Sequence, residues 1–181
     1  MIRLGSNSPT RALILKTFGI DFIQNGGDFD EDSITTTNPK SFCYEATLGK
    51  FQELYKKYGV NEMPLLVADS VVMCEGKLLR KAKDLDDAIA MLELQSGNKT
   101  SVITCMIYKS KEKELIDISI TTYEFNSFDK KHMQEYLDSG ECFGKAGAIM
   151  VEGFCKPYIK NVIGYESCAM GLCVEKLIPF L

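Results

Sequence analysis

Ten residues, Leu65-Leu-Val-Ala-Asp-Ser-Val-Val-Met-Cys74, constrain the fold of this chain more than any others. The run is almost continuously apolar and is bounded by Pro64 on one side and by the turn Glu75-Gly76 on the other, so it reads as a buried strand. Its two exceptions, Asp69 and Ser70, stand at the centre. A carboxylate buried without a partner costs several kcal/mol or is neutralised by a raised pKa. Such a residue therefore implies a metal, a cation or a place where the strand opens into a cleft. The plainer alternative is a strand-end aspartate paired with a backbone N–H or a nearby lysine.

A chain of 181 residues with 45% hydrophobic content is long enough for one ordinary domain, or one domain drawn out into two lobes. No domain boundary is expected between residues 1 and 181, because no Ser/Gly/Pro linker interrupts the sequence. The net charge of −4 argues against a nucleic-acid partner, which requires an excess of Lys and Arg. No stretch approaches a membrane span and no signal-peptide pattern precedes Gly5, so no membrane partner is expected. Seven scattered cysteines with one histidine read as free thiols of a cytoplasmic protein.

Around the central run, Ile2–Leu4 reads as a short strand, and Ser8 and Pro9 open a helix that Gly19 ends. Ile20–Gln24 resembles a second strand, the acidic segment from Asp28 to Thr37 a loop, and Pro39–Tyr58 a long helix. Asp84 caps a helix that stops before Gly97, and Ser101–Tyr108 with Leu115–Phe125 form an antiparallel hairpin. A further helix runs from about Asp129 to Leu137, with His132 solvated on it. A Gly-punctuated stretch follows, and Glu166–Leu177 closes the chain as a helix.

Four segments could carry chemistry. In Ser6-Asn-Ser-Pro-Thr-Arg11, hydroxyls and free N–H groups at a helix start could hold phosphate oxygens, with Arg11 adding a bidentate charge, although Ser-Pro at such a place is ordinarily only a cap. Asp69 with Ser70 is the second. The third is the run from Lys77 to Lys83, four cations in seven residues, which would be a solvated face but for its position beside Asp69. The acidic group Asp28, Asp30, Glu31 and Asp32 is the fourth, a solvated loop or a source of hard oxygen ligands.

Taken in order, Gly5-Ser-Asn-Ser-Pro-Thr-Arg11, Asp30-Glu31, Ala68-Asp-Ser70, Leu79-Arg-Lys-Ala82, Ser96-Gly97, Tyr136-Leu-Asp-Ser-Gly140 and Lys145-Ala-Gly-Ala148 resemble the motifs of the Maf family of nucleotide pyrophosphatases over nearly the whole chain. The resemblance implies an α/β fold, elongated and two-lobed, with a mixed, twisted sheet and a central substrate cleft like that of inosine triphosphatases. It implies hydrolysis of a nucleoside triphosphate to the monophosphate and pyrophosphate with Mg²⁺ or Mn²⁺, and it suggests a homodimer. Asp69, Lys50 and Lys81 fall on the catalytic positions, and Glu31 and Asp69 on the metal positions. Ser6, Ser8, Thr10, Arg11 and Glu152 fall at the substrate. Whether Asp69 is general base or metal ligand stays open.

The sequence departs from that pattern at Thr10, Ala82, Thr100 and Glu152, where the family commonly has Arg or Tyr, Pro, His and Gln. These departures bear on which base is accepted. Ala68-Asp-Ser70 is nearer the variant that accompanies pyrimidine triphosphates, which points to UTP, dTTP or CTP. The alternative reading is a nucleotide-binding regulator of cell division or septum formation with little catalysis.

Overall fold

A computed structural model describes all 181 residues. The chain opens with β1 (Ile2–Leu4), α1 (Pro9–Thr17) and β2 (Phe22–Gln24), then makes a single 3-10 turn at Glu31–Ser33 and the long helix α2 (Pro39–Tyr58). β3 (Leu65–Cys74) and β4 (Lys77–Leu79) form a hairpin about the expected Glu75-Gly76 turn, and α3 (Leu85–Gln95) leads to the long hairpin of β5 (Lys99–Lys109) and β6 (Glu114–Phe125). α4 (Lys130–Ser139), β7 (Ile159–Ile163), α5 (Glu166–Ala169) and α6 (Val174–Leu177) complete it. The helix starts follow from local chemistry: Ser8, Asn38, Asp84 and Asp129 each accept a hydrogen bond from a first-turn N–H, and Pro9 and Pro39 occupy first helical positions.

One mixed sheet runs through the molecule in the order β2-β1-β3-β5-β6-β7, parallel from β2 to β3 and antiparallel beyond, with β4 attached to β3. β5 pairs with β3 along its whole length. The other edge of β3 is shared: β1 pairs at Leu65 and Leu66, and β4 pairs at Val72 to Cys74. Between them, Val67 to Val71 has no strand beside it. Asp69 lies at the middle of that opening.

Alternation along β3 and β5 assigns the faces. Leu65, Val67, Val71, Ile103, Cys105 and Ile107 pack under α2 through Phe42, Ala46, Phe51 and Leu54. On the opposite face the apolar packing is divided. Leu66, Ala68 and Met106 pack with α1 and the C-terminal segment, whereas Val72, Cys74 and Val102 pack with α3, α4 and Phe154. Ser70 and Thr104, paired across the ladder, occupy the division. The polar interruption in the sequence thus separates two lobes, each holding buried Leu, Ile or Phe side chains that contribute about 1.5–3 kcal/mol apiece.

Three local readings are corrected. The segment Glu166–Leu177 is two short helices, because Gly171 at φ +108 carries the chain through a turn that a helix cannot make. The second strand begins at Phe22 rather than Ile20, whose N–H instead closes the end of α1 on Leu15. His132 is packed rather than solvated, edge-on to Phe154 with Nδ1 2.9 Å from the Tyr158 hydroxyl. The returning segment 154–158 covers that face of α4, which the sequence of α4 alone does not reveal. All seven cysteines are free and buried.

Gly5 shows how closely the first loop approaches the sheet: a Cβ there would stand 2.5 Å from Leu54 Cδ1 and 2.8 Å from Val67 Cγ2. Gly5→Ala is expected to lower stability by about 1–3 kcal/mol through overpacking, read as a reduced urea midpoint with an unchanged m-value.

Candidate functional site

A cleft of about 540 Å³ opens where the edge of β3 is bare, a volume within the range of small-molecule sites. Every residue singled out by the sequence for catalysis, metal or substrate lines it: Ser6, Ser8, Thr10, Arg11, Glu31, Lys50, Asp69, Lys81 and Glu152. Of the four departures from the family pattern, Thr10 and Glu152 line the cleft. Ala82 and Thr100 do not: Ala82 packs on the α3–α4 lobe, and Thr100 is fully buried. Only Thr10 and Glu152 of the four are therefore in a position to touch a ligand in the cleft.

The floor is an ion cluster. Lys50, on the side of α2 that faces the opening, places Nζ 2.6 Å from Glu31 Oε1 and 2.6 Å from Asp69 Oδ1. The side chains are 19%, 21% and 9% exposed respectively, so water screens the cluster only in part. Arg80 supports Glu31 from behind at 3.6 Å, also pairs with Asp32 at 3.0 Å, and lies over the Phe42 ring. The 3-10 turn that holds Glu31 and Asp32 is capped by Asp30, so the acidic loop is ordered by its own first residue. Arg80 was hidden in the cation run, since only the tertiary fold tells which of the four cations reaches Glu31.

Burial alone would raise the Glu31 pKa, but the hydrogen bond and charge of Lys50, with Lys81 and Arg80 behind it, hold the carboxyl below its ordinary value. Burial alone would lower that of Lys50, but the charge of Asp69 and hydrogen bonds to Asp69 and Glu31 raise it. The three groups are a charged unit. Each carboxylate spends one oxygen on Lys50; Asp69 Oδ2 carries no protein hydrogen bond, and Glu31 Oε2 has only the long contact to Arg80.

The second wall is the loop into α1. Ser6 Oγ accepts from the Ser8 N–H at 3.2 Å and from Arg11 Nη1 at 3.0 Å, and Ser8 Oγ caps the helix by accepting from the Arg11 N–H. Gln24 steadies this loop by donating to the carbonyls of Ser6 and Ser8. Arg11 differs from expectation. Its Nε donates to the Gly171 carbonyl at 2.8 Å and Nη2 to Ser70 Oγ at 3.4 Å, so part of the fork ties the N-terminal loop, β3 and the C-terminal segment together. One N–H on each terminal nitrogen stays available. Burial lowers the pKa of Arg11, opposed by the charge of Asp69, and the guanidinium keeps its charge.

The far wall comes from the stretch after α4, where Lys81 pairs with Ala146 in an isolated bridge and Gln95 donates to the Gly147 carbonyl. Lys145 stands here, a cleft cation to which the sequence assigned no role. Met170 and Gly171 also line the cleft and were missed because their segment read as uninterrupted helix. In all, four cations (Arg11, Lys50, Lys81, Lys145) face three carboxylates (Glu31, Asp69, Glu152). One positive charge in excess is little for a polyanion.

A cleft at the bare edge of a mixed sheet, built from a capped N-terminal loop and a lysine-bridged pair of acids, defines an α/β protein with a charged cleft of small-molecule size. A family model described as Maf-like protein matches residues 1–181. A nucleoside triphosphate pyrophosphatase of Nitratiruptor sp. is 52% identical over 98% of this chain and 96% of its own length. A protein of the same name from Helicobacter pylori is 39% identical over 98% and 93%. Among solved structures, the Ham1 protein of Staphylococcus aureus matches at a TM-score of 0.47 with 15% identity, over 68% of this chain and 71% of that one. The chain belongs to the Maf-like protein family.

The charged unit has a definite pH range. Glu31, with its folded pKa depressed, contributes stability that is present above its ordinary value of 4.5 and lost as pH falls through the lower folded value. Lys50, with its folded pKa raised, contributes stability present below its ordinary value of 10.5 and lost as pH rises through the higher one. Thermal melts across pH should lose stability in acid below that first value, and Glu31→Gln should shrink that acid limb and weaken the alkaline limb in part, since Lys50 keeps Asp69 but loses Glu31.

Proposed function

We propose that this cleft binds a nucleoside triphosphate, preferring pyrimidine bases, and with Mg²⁺ or Mn²⁺ hydrolyses it to the monophosphate and pyrophosphate. The chain is a nucleoside triphosphate pyrophosphatase, a hydrolase acting on acid anhydrides. The observation that carries the reading is Lys50 Nζ held between Glu31 and Asp69 on the floor of a cleft large enough for a nucleotide.

Water attacks the α-phosphorus, the bond to the α–β bridging oxygen breaks, and pyrophosphate leaves with the developing charge. Asp69 Oδ2 is the oxygen that either takes the proton of that water or holds the ion that binds the water, because Oδ1 is committed to Lys50. Lys81, Lys145 and the available N–H of Arg11 Nη1 hold phosphate oxygens and stabilise the leaving group. Lys50 bridges Glu31 and Asp69 and holds the Glu31 carboxyl below its ordinary value.

The donor set suits a hard divalent cation. Asp69 Oδ2 and Glu31 Oε2 are carboxylate oxygens, and no third carboxylate, histidine or cysteine joins them in a cage, which fits Mg²⁺ or Mn²⁺ shared with substrate phosphates. When bound, that ion offsets triphosphate charge that the single excess cation of the cleft leaves uncompensated. The pyrimidine preference rests on Ala68-Asp-Ser70, and Thr10 and Glu152, which also line the cleft, adjust it.

Asp69→Asn is expected to lower kcat for pyrophosphate release by about 10²–10⁴-fold in a protein that still folds but melts lower, because Lys50 loses one of its two counter-charges; undiminished turnover would remove Asp69 from the chemistry. Chelator should abolish release and Mg²⁺ or Mn²⁺ restore it. Across a panel of triphosphates, kcat/KM should be highest for UTP, dTTP or CTP, and tight binding with no product over hours would favour a regulator instead.

A further inference from the structure

At the division between the lobes, five groups form a closed ring of hydrogen bonds. Arg11 Nη2 donates to Ser70 Oγ at 3.4 Å, Ser70 Oγ lies 2.8 Å from Thr104 Oγ1, and Thr104 Oγ1 lies 2.7 Å from the carbonyl oxygen of Cys168. The Gly171 N–H donates to that same carbonyl at 3.0 Å, and the Gly171 carbonyl accepts from Arg11 Nε at 2.8 Å.

The direction of each bond can be assigned, because a carbonyl oxygen only accepts. Thr104 must spend its one proton on Cys168; the reverse would set two oxygen lone pairs 2.7 Å apart in a fully buried place. Thr104 Oγ1 can then only accept from Ser70, so Ser70 spends its own proton on Thr104. What Ser70 has left is lone pairs. One faces Arg11 and the other is free on the cleft side, where Ser70 is part of the lining.

We propose that Thr104 is a positioning residue that fixes Ser70 as a hydrogen-bond acceptor only, so that the substrate group seated over Ser70 is an N–H donor of the base. An ionised phosphate oxygen, with no proton to offer, is disfavoured there. Beside Ser70, the remaining N–H of Arg11 Nη2 is a donor, so this corner reads a donor next to an acceptor. The imide edge of uracil or thymine, N3–H flanked by two carbonyls, has that pattern. This inference rests on the pyrimidine reading above and names the residue pair behind it.

The test compares KM and kcat for UTP, for N3-methyl-UTP, which lacks the imide proton, and for dUTP, which lacks the ribose 2′-hydroxyl. In the wild-type protein KM should rise about 10- to 100-fold with N3-methyl-UTP and stay near the UTP value with dUTP. Thr104→Ser, which keeps the hydroxyl, should retain that ratio. Thr104→Val should collapse it, because Ser70 is then free to turn and donate. Ser70→Ala, which leaves the Cys168 carbonyl satisfied by Thr104, should collapse it too and serves if Thr104→Val does not fold.

A wild-type enzyme that turns over UTP and N3-methyl-UTP alike overturns the inference and leaves the activity standing. So does retention of the wild-type ratio in Thr104→Val or Ser70→Ala. A penalty that appears with dUTP instead overturns the assignment to the base. Better turnover of ATP and GTP than of every pyrimidine triphosphate overturns the pyrimidine reading and this inference with it.

Discussion

The ammonium of Lys50, shared at 2.6 Å by Glu31 and Asp69, is the interaction on which the rest of the site depends. Two carboxylates brought this close in a partly dry cleft repel one another, and one would take up a proton if no cation lay between them. Lys50 lies between them and offsets that repulsion, and it holds the Glu31 carboxyl below its ordinary value. Each also leaves one oxygen turned away from the lysine. The same ammonium joins α2, the central strand and the acidic loop, so the geometry of the acids is set by the packing of a twenty-residue helix rather than by a flexible loop.

That packing explains why the cleft lies where it does. β3 is covered along one edge by β5, while β1 and β4 divide the other edge and leave its middle bare. α2 spans the sheet continuously on one face, whereas the opposite face carries two apolar clusters that meet at Ser70 and Thr104. A polar dipeptide in an apolar strand thus does two jobs. Asp69 points to the helix that supplies its cation, and Ser70 points to the division between lobes, where Arg11 ties the N-terminal loop to the C-terminal segment.

Much of this was legible in the sequence because it is local. The bounds of α2 and β3, the caps at Ser8 and Asp84, and the long hairpin follow from turn residues and apolar spacing within each segment. The cleft residues were legible from ordered motifs, and all nine converge. What was not legible depends on distant partners. Arg80 was one cation among four until the fold turned it toward Glu31. Gly171 broke a helix that composition favoured, and the break delivers its carbonyl to Arg11. His132 gained a cover from a segment more than twenty residues away.

Lys50 is the shared counter-ion of both acids, and a double-mutant cycle reads this most directly. Urea unfolding of Lys50→Met, Glu31→Gln and the double variant should show a coupling of about 1–3 kcal/mol, with the double variant losing less stability than the two single losses combined. Strict additivity within about 0.3–0.5 kcal/mol would mean that lysine and glutamate do not hold one another, and would contradict the account at its centre.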